Sequence, residues 1–244
     1  MNDRHLSSQF DEDLNSLCSK LLQMGGMVES QIEIAMRGFS EANIDLCEQV
    51  IESEKSVNSL EVEIDSACAE IIARRQPTAR DLRLVMAISK AITNLERAGD
   101  EAERVAKRSK RIIEQAPNYK INAAEIKLSG QMAIDLLRQS LDCFARLDAV
   151  AAAQVVYDDK QIDEEFRGFV RKLITYMAED PKMISTGLDL LSIAKAIERI
   201  GDHAKNIAEF VNANSDIKFD STYLAKSQLP VEYQEQLFNL TKGE

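Results

Sequence analysis

An all-α chain built as two tandem three-helix bundles is predicted by three observations. Helix formers dominate the 244 residues: 45% are hydrophobic and 29% charged, only 5% are aromatic, Trp is absent, and Gly and Pro number 9 and 4. A sandwich or barrel needs more aromatic and turn residues than this. The prolines separate long amphipathic stretches, because Pro cannot continue a helix interior. The chain also repeats itself. Residues 27–58 lie over 132–163 without a gap at an offset of 105, with Met27/Met132, Phe39/Phe144, Gln49/Gln154, Val50/Val155 and Lys55/Lys160 identical. Further on, E-R-A-G-D-E-A-E-R-V-A-K (96–107) lies over E-R-I-G-D-H-A-K-N-I-A-E (198–209), six identities in twelve at an offset of 102.

The periodicity predicts helix 1 over Phe10–Phe39 and helix 2 over Asn43–Arg75. Helix 3 runs over Thr78–Glu114, opened after Pro77 by Thr78 with Asp81 three residues on, a capping-box spacing. The stretch Q-A-P-N-Y-K (115–120), holding Pro117, reads as the linker. Helix 4 follows over Ile121–Leu147, helix 5 over Val150–Ala178 and helix 6 over Pro181–Asn212, the last with Asp180 as N-cap and Pro at the first position. The first bundle therefore covers residues 1–116 and the second 117–212, each with its own core; a single continuous six-helix bundle is the alternative. Residues 213–244, with Pro230, are a weakly patterned tail.

With 30 basic against 41 acidic residues the net charge is -11, which disfavours nucleic acid, because counterion release needs clustered cations. The longest charge-free stretch, Ala149–Tyr157, is far too short to span a bilayer, and the first ten residues hold no apolar signal-peptide core. Cys18, Cys47, Cys68 and Cys143 show no C-x-x-C spacing and read as free, mostly buried thiols of a reducing compartment. The expectation is a soluble cytoplasmic protein.

Chemistry, if any, lies in the doubled E-R-x-G-D. Glu96 and Asp100 share a helix face, as do Glu198 and Asp202. The preceding helices supply a pair at the same repeat phase, Glu54 and Asn58 in the first half and Asp159 and Asp163 in the second. Facing helices that offer oxygens at i and i+4 suit Mg²⁺, Mn²⁺, Ca²⁺ or iron better than a closed zinc site. The alternative is an interhelical network in which Arg97 and Arg199 neutralise these acids. Gly99 and Gly201, inside the motif, each cost about 1 kcal/mol against Ala in a helix interior, which points to close helix approach or a ligand at the backbone. His203 points about 100° away from Asp202 and belongs on the rim; His5 lies near the terminus. Gly25-Gly26 inside helix 1 reads as a kink or tight packing. Arg74, Arg75, Arg80 and Arg83 gather at the turn between helices 2 and 3, where the first two suit the negative helix end. No catalytic motif is visible, and two histidines cannot supply the paired Glu-x-x-His ligands of ferritin-like di-iron enzymes.

V-N-S-L-E-V-E-I-D-S-A-C (57–68), I-I-A-R-R-Q-P-T-A-R-D-L-R-L-V-M-A-I-S-K (71–90), L-E-R-A-G-D (95–100) and I-E-R-I-G-D (197–202) together resemble the PhoU family, accessory proteins of bacterial phosphate-specific transport. M-G-G-M-V-E (24–29) and T-Y-M-A-E-D (175–180) match in order, so the resemblance runs from Phe10 to Val211. It implies tandem three-helix bundles that form a homodimer, with metal at paired E(D)-x-x-x-D motifs. Glu96, Asp100, Asp159, Asp163, Glu198 and Asp202 match that pattern; Glu54-x-x-x-Asn58 departs from it. An amide lacks charge, so the first site is expected to bind more weakly, or to enlist Glu61 or Glu103. The resemblance further implies a non-enzymatic negative regulator of the phosphate-starvation response, linking the transporter ATPase PstB to the sensor kinase PhoR. A carboxylate-bridged metalloenzyme and a purely structural scaffold are the competing functions.

Overall fold

The computed structural model describes residues 8–115 and 124–214. Among them are six long α-helices and no strand: α1 Ser8–Glu41, α2 Ile44–Arg75, α3 Ala79–Gln115, α4 Ala124–Arg146, α5 Ala149–Glu179 and α6 Ile184–Asn214. A single 3-10 turn, Pro181–Met183, leads into α6. The expected elements are all present, with ends within a few residues of those predicted. The linker from 116, the tail from 215, and His5 lie outside the described residues.

Local chemistry sets the turns. Asn43 and Asp148 are N-caps of α2 and α5, each accepting from the backbone N–H three residues on, at Leu46 and Ala151. The residues before them, Ala42 and Leu147, sit in the left-handed region at φ 50 and 52. These four positions are related by the offset of 105, so the repeat extends to a backbone conformation that costs a non-glycine residue about 1–2 kcal/mol. Gln76, at φ 47, closes α2 by donating its N–H to Ile72. The expected cap of α3 forms side chain to side chain, Thr78 Oγ1 donating to Asp81 at 2.7 Å, and Asp180 caps the 3-10 turn with Pro181 at its first position. Arg74 pairs with Glu70 and Arg75 with Asp13 of α1, so both are held by carboxylates at the end of α2.

Helices α1–α3 form one three-helix bundle and α4–α6 the other, but the cores are not separate. One buried apolar cluster runs through all six helices, and among the described residues α3 with α6 is the most extensive helix pair. The sequence pattern marks an apolar stripe on each helix and says nothing about which stripe meets which, so separate cores were expected where a merged one is found. The bundles join about an approximate two-fold axis. On α1, a Cβ at Gly25 would lie 2.6 Å from Leu141 Cδ1 of α4; on α4, a Cβ at Gly130 would collide with Met36 Cε of α1. Gly25/Gly130 and Met36/Leu141 are again equivalents at 105, so the same knob enters the same hole in both directions, as at a symmetric dimer interface. Gly25 is thus the tight contact foreseen for the Gly-Gly pair, whereas Gly26 faces open space. Arg138 of α4 reaches Glu29 and Glu33 of α1 beside this crossing. Between α3 and α6, buried Asp189 accepts from Arg108 at 3.0 Å and pairs with Arg111 at 3.4 Å.

All four cysteines are free, three buried and Cys18 partly so. Burial pushes the thiols of Cys47, Cys68 and Cys143 up to about 11 and raises Cys18 as well. The thiolate is the nucleophile, so a thiol reagent at pH 8 is expected to modify Cys18 first and the other three only on unfolding. Fast reaction of two or more thiols in the folded chain contradicts this burial.

Candidate metal centre

The paired positions fall on the second and third helices of each bundle. In the first bundle α2 carries Glu54 and Asn58 opposite Glu96 and Asp100 of α3; in the second α5 carries Asp159 and Asp163 opposite Glu198 and Asp202 of α6. The glycines explain the approach. A Cβ at Gly201 would sit 3.0 Å from both Asp159 Oδ1 and Ile162 Cδ1, so the missing side chain makes room for an α5 carboxylate. At Gly99 the neighbours are Gln31 Oε1 at 3.2 Å and Val57 Cγ1 at 3.6 Å. Among the described residues, no three His, Cys, Asp or Glu side chains are drawn into a metal-holding group. The helices present oxygens without having gathered them.

Electrostatically the two clusters differ. In the first, Glu54 Oε1 and Asn58 Oδ1 are buried without a hydrogen-bond partner, and so is Oε1 of Gln31 beside Gly99. Burial raises the Glu54 carboxyl above its usual range and the negative charges of Asp100 and Glu103 raise it further, while a hydrogen bond from the Asn58 side chain and the charge of Lys107 partly offset them. Glu96 is raised in the same way, by burial and then by Asp100, Glu61 and Glu54, with Arg97 lowering it. Glu61 and Glu103, named from the sequence as reserve ligands, thus both act on this cluster. Glu103 is paired at 2.7 Å with Lys107, while Glu61 accepts from Thr93 at 3.3 Å.

In the second cluster every acid has a cation. Lys205 Nζ donates to Asp159 at 2.7 Å and to Asp202 at 3.2 Å, bridging α5 and α6. Lys195 pairs with Glu198 at 2.5 Å and Arg167 with Asp163 at 3.6 Å. Asp159 is 3% exposed; burial raises its carboxyl and Lys205 pulls it back. Burial disfavours the Lys205 charge, but the hydrogen bond and charge of Asp159 outweigh it, so its ammonium is held well above the usual range.

Of the two motif arginines, Arg97 lowers the Glu96 carboxyl by its charge, whereas Arg199 forms its ion pair outside the cluster. An Arg directly after Glu points about 100° around the helix, here toward the crossing of α3 and α6. Arg199 donates across it to Glu101 at 3.1 Å, and Arg104 pairs with the same carboxylate at 3.4 Å. Arg97 stands at the equivalent place opposite His203, whose imidazole pKa is depressed by burial and then by Arg97. His203 Nδ1 lies 3.3 Å from Asn94 Oδ1, which also accepts from Asn206 at 3.0 Å. Arg97, Glu101, Arg199, His203 and Asn206 line a cleft of about 410 Å³ together with Asp100 and Asp202. Sequence reasoning missed Lys195 and Lys205 as cluster members. Their signal was present: at the offset of 102 they replace Thr93 and Glu103.

The fold and these clusters define a duplicated helical bundle whose repeats carry paired acidic motifs on facing helices. A PhoU domain model matches residues 21–109 and again 126–211. The chain is 53% identical over 211 residues to a phosphate-specific transport system accessory protein PhoU homolog of Burkholderia, covering 86% of this chain and 90% of that one. It is 43% identical over 208 residues to the Escherichia coli K12 accessory protein PhoU, covering 85% and 86%. The crystal structure of PhoU from Pseudomonas aeruginosa superposes with a TM-score of 0.82 at 41% identity, over 84% of this chain and 98% of that one. The regulatory protein PhoU from Streptococcus pneumoniae follows at 0.79 and 25%, over 85% and 97%. The chain belongs to the PhoU family.

Proposed function

We propose that this chain is a non-catalytic regulatory accessory of phosphate uptake, a negative regulator that holds the phosphate-starvation response off when phosphate is plentiful. The observation that carries the reading is the match, across both repeats, to relatives described as accessory proteins of phosphate-specific transport. In this reading the chain acts in the cytoplasm as a homodimer and links the transporter ATPase PstB to the sensor kinase PhoR. No helix among the described residues is long and apolar enough to cross a membrane, which agrees with contact to the membrane only through partners. A strain lacking the chain is expected to express a phosphate-starvation reporter in rich phosphate, and a pull-down from phosphate-replete cells to bring down both the ATPase and the kinase. A silent reporter counts against negative regulation.

The first cluster fits a hard cation. Its donors are carboxylate and amide oxygens, two of them buried and unpartnered at Glu54 and Asn58, and its acids repel one another. Glu54, Asn58, Glu96 and Asp100 would hold Mg²⁺, Mn²⁺ or iron, which would supply the missing positive charge and draw α2 to α3.

A further inference from the structure

We infer that the Lys205 ammonium is the resident cation of the second bundle, filling the place between α5 and α6 that a divalent ion would take, so that of the two repeats only the first is open to metal. Lys205 donates to one acid on each facing helix, Asp159 on α5 and Asp202 on α6. Those are two of the four positions from which ligands were expected. Asp159 is buried, and a buried carboxylate needs a counter-charge or it is not kept ionised. An ammonium on a flexible stem, with three donors, supplies that charge in place. The equivalent position in the first repeat is Glu103, an added acid, and Lys195 likewise replaces Thr93. The repeats have therefore exchanged charge at the same register. Against its four carboxylates the second cluster sets Lys195, Lys205 and Arg167, whereas the orphaned oxygens of Glu54 and Asn58 belong to the first. Four carboxylates against three and an amide predict tighter binding in the second half; Lys205 seated between the two helices reverses the order. Lys107 and Arg97 of the first cluster act on its acids by charge without bridging α2 and α3.

The claim that the first repeat takes metal rests on the reading given above; the claim about Lys205 does not. The test is Mn²⁺ binding to the full chain, followed by calorimetry and by metal analysis after dialysis. Lys205→Met is expected to bind one Mn²⁺ more per chain than wild type, and Asp159→Asn in that background to lose it. Without metal the Lys205→Met chain is expected to melt below wild type, and with Mn²⁺ to recover, which a merely structural lysine would not show. Wild-type binding is expected to survive Asp159→Asn and to be lost in Glu54→Gln/Asp100→Asn. If Lys205→Met does not fold, the reverse exchange decides: Glu103→Lys is expected to abolish binding at the first cluster. Wild-type Mn²⁺ that is lost on Asp159→Asn overturns the inference, as does a folded Lys205→Met chain that gains none, or unchanged binding in Glu103→Lys. A wild-type chain that binds no Mn²⁺ removes the metal reading of the first cluster and leaves Lys205 to be decided by the gain in Lys205→Met.

Discussion

Truncating Leu141 to Ala is expected to lower the unfolding free energy by about 2–5 kcal/mol, the cost of emptying a buried leucine site, and to change what Gly25→Ala does. In the wild-type background the new methyl group falls 2.6 Å from Leu141 Cδ1. The leucine must turn aside, which offsets the gain of up to about 1 kcal/mol from helix propensity. With Leu141 shortened the hole is empty, and Gly25→Ala becomes stabilising. Gly26→Ala, which meets nothing within reach, is the control and stabilises in both backgrounds. Urea unfolding of the four chains in this cycle measures the coupling. An identical effect of Gly25→Ala with and without Leu141 means that the knob does not occupy the hole.

The second large effect separates two glycines that the sequence treats as equals. Gly201→Ala is expected to destabilise by about 1–3 kcal/mol, because its methyl group would press at 3.0 Å on Ile162 and on a carboxylate that Lys205 holds in place. Gly99→Ala meets the end of the Gln31 side chain at 3.2 Å and otherwise only ordinary contact. That amide can shift by a few tenths of an ångström, so helix propensity leaves the variant near neutral. The repeat alone predicts that both behave alike; the different neighbours, not the motif, set the outcome. Thermal melts with and without Mn²⁺ check it. Two variants that both melt above wild type would remove the case for close approach at either glycine.

How far the molecule was legible depends on where each signal lives along the chain. Helix extents follow from apolar spacing and from Pro77 and Pro181, which are local, and they were read to within a few residues. The turns at Ala42 and Leu147 were not, because both hold a left-handed conformation without the glycine that usually announces it. The repeat alignment located all eight candidate ligands, yet it was read for identity. Lys205 over Glu103 is a mismatch, and it is the mismatch that distinguishes the clusters. Its meaning also required the distance to Asp159, a contact between helices that no single-helix pattern contains. The merging of the two cores at α3 and α6 was open only as the alternative reading for the same reason.

The reciprocal entry of Leu141 at Gly25 and Met36 at Gly130 has an evolutionary consequence. A true homodimer changes both sides of its interface with every substitution, since one gene writes both copies. Here each side of the axis has its own codons. A duplicated chain can therefore keep the interlocking surface that both copies need while letting the rest of each copy drift independently. One lobe is free to remain responsive to its surroundings while the other becomes a fixed reference, a division of labour that separate identical subunits cannot inherit.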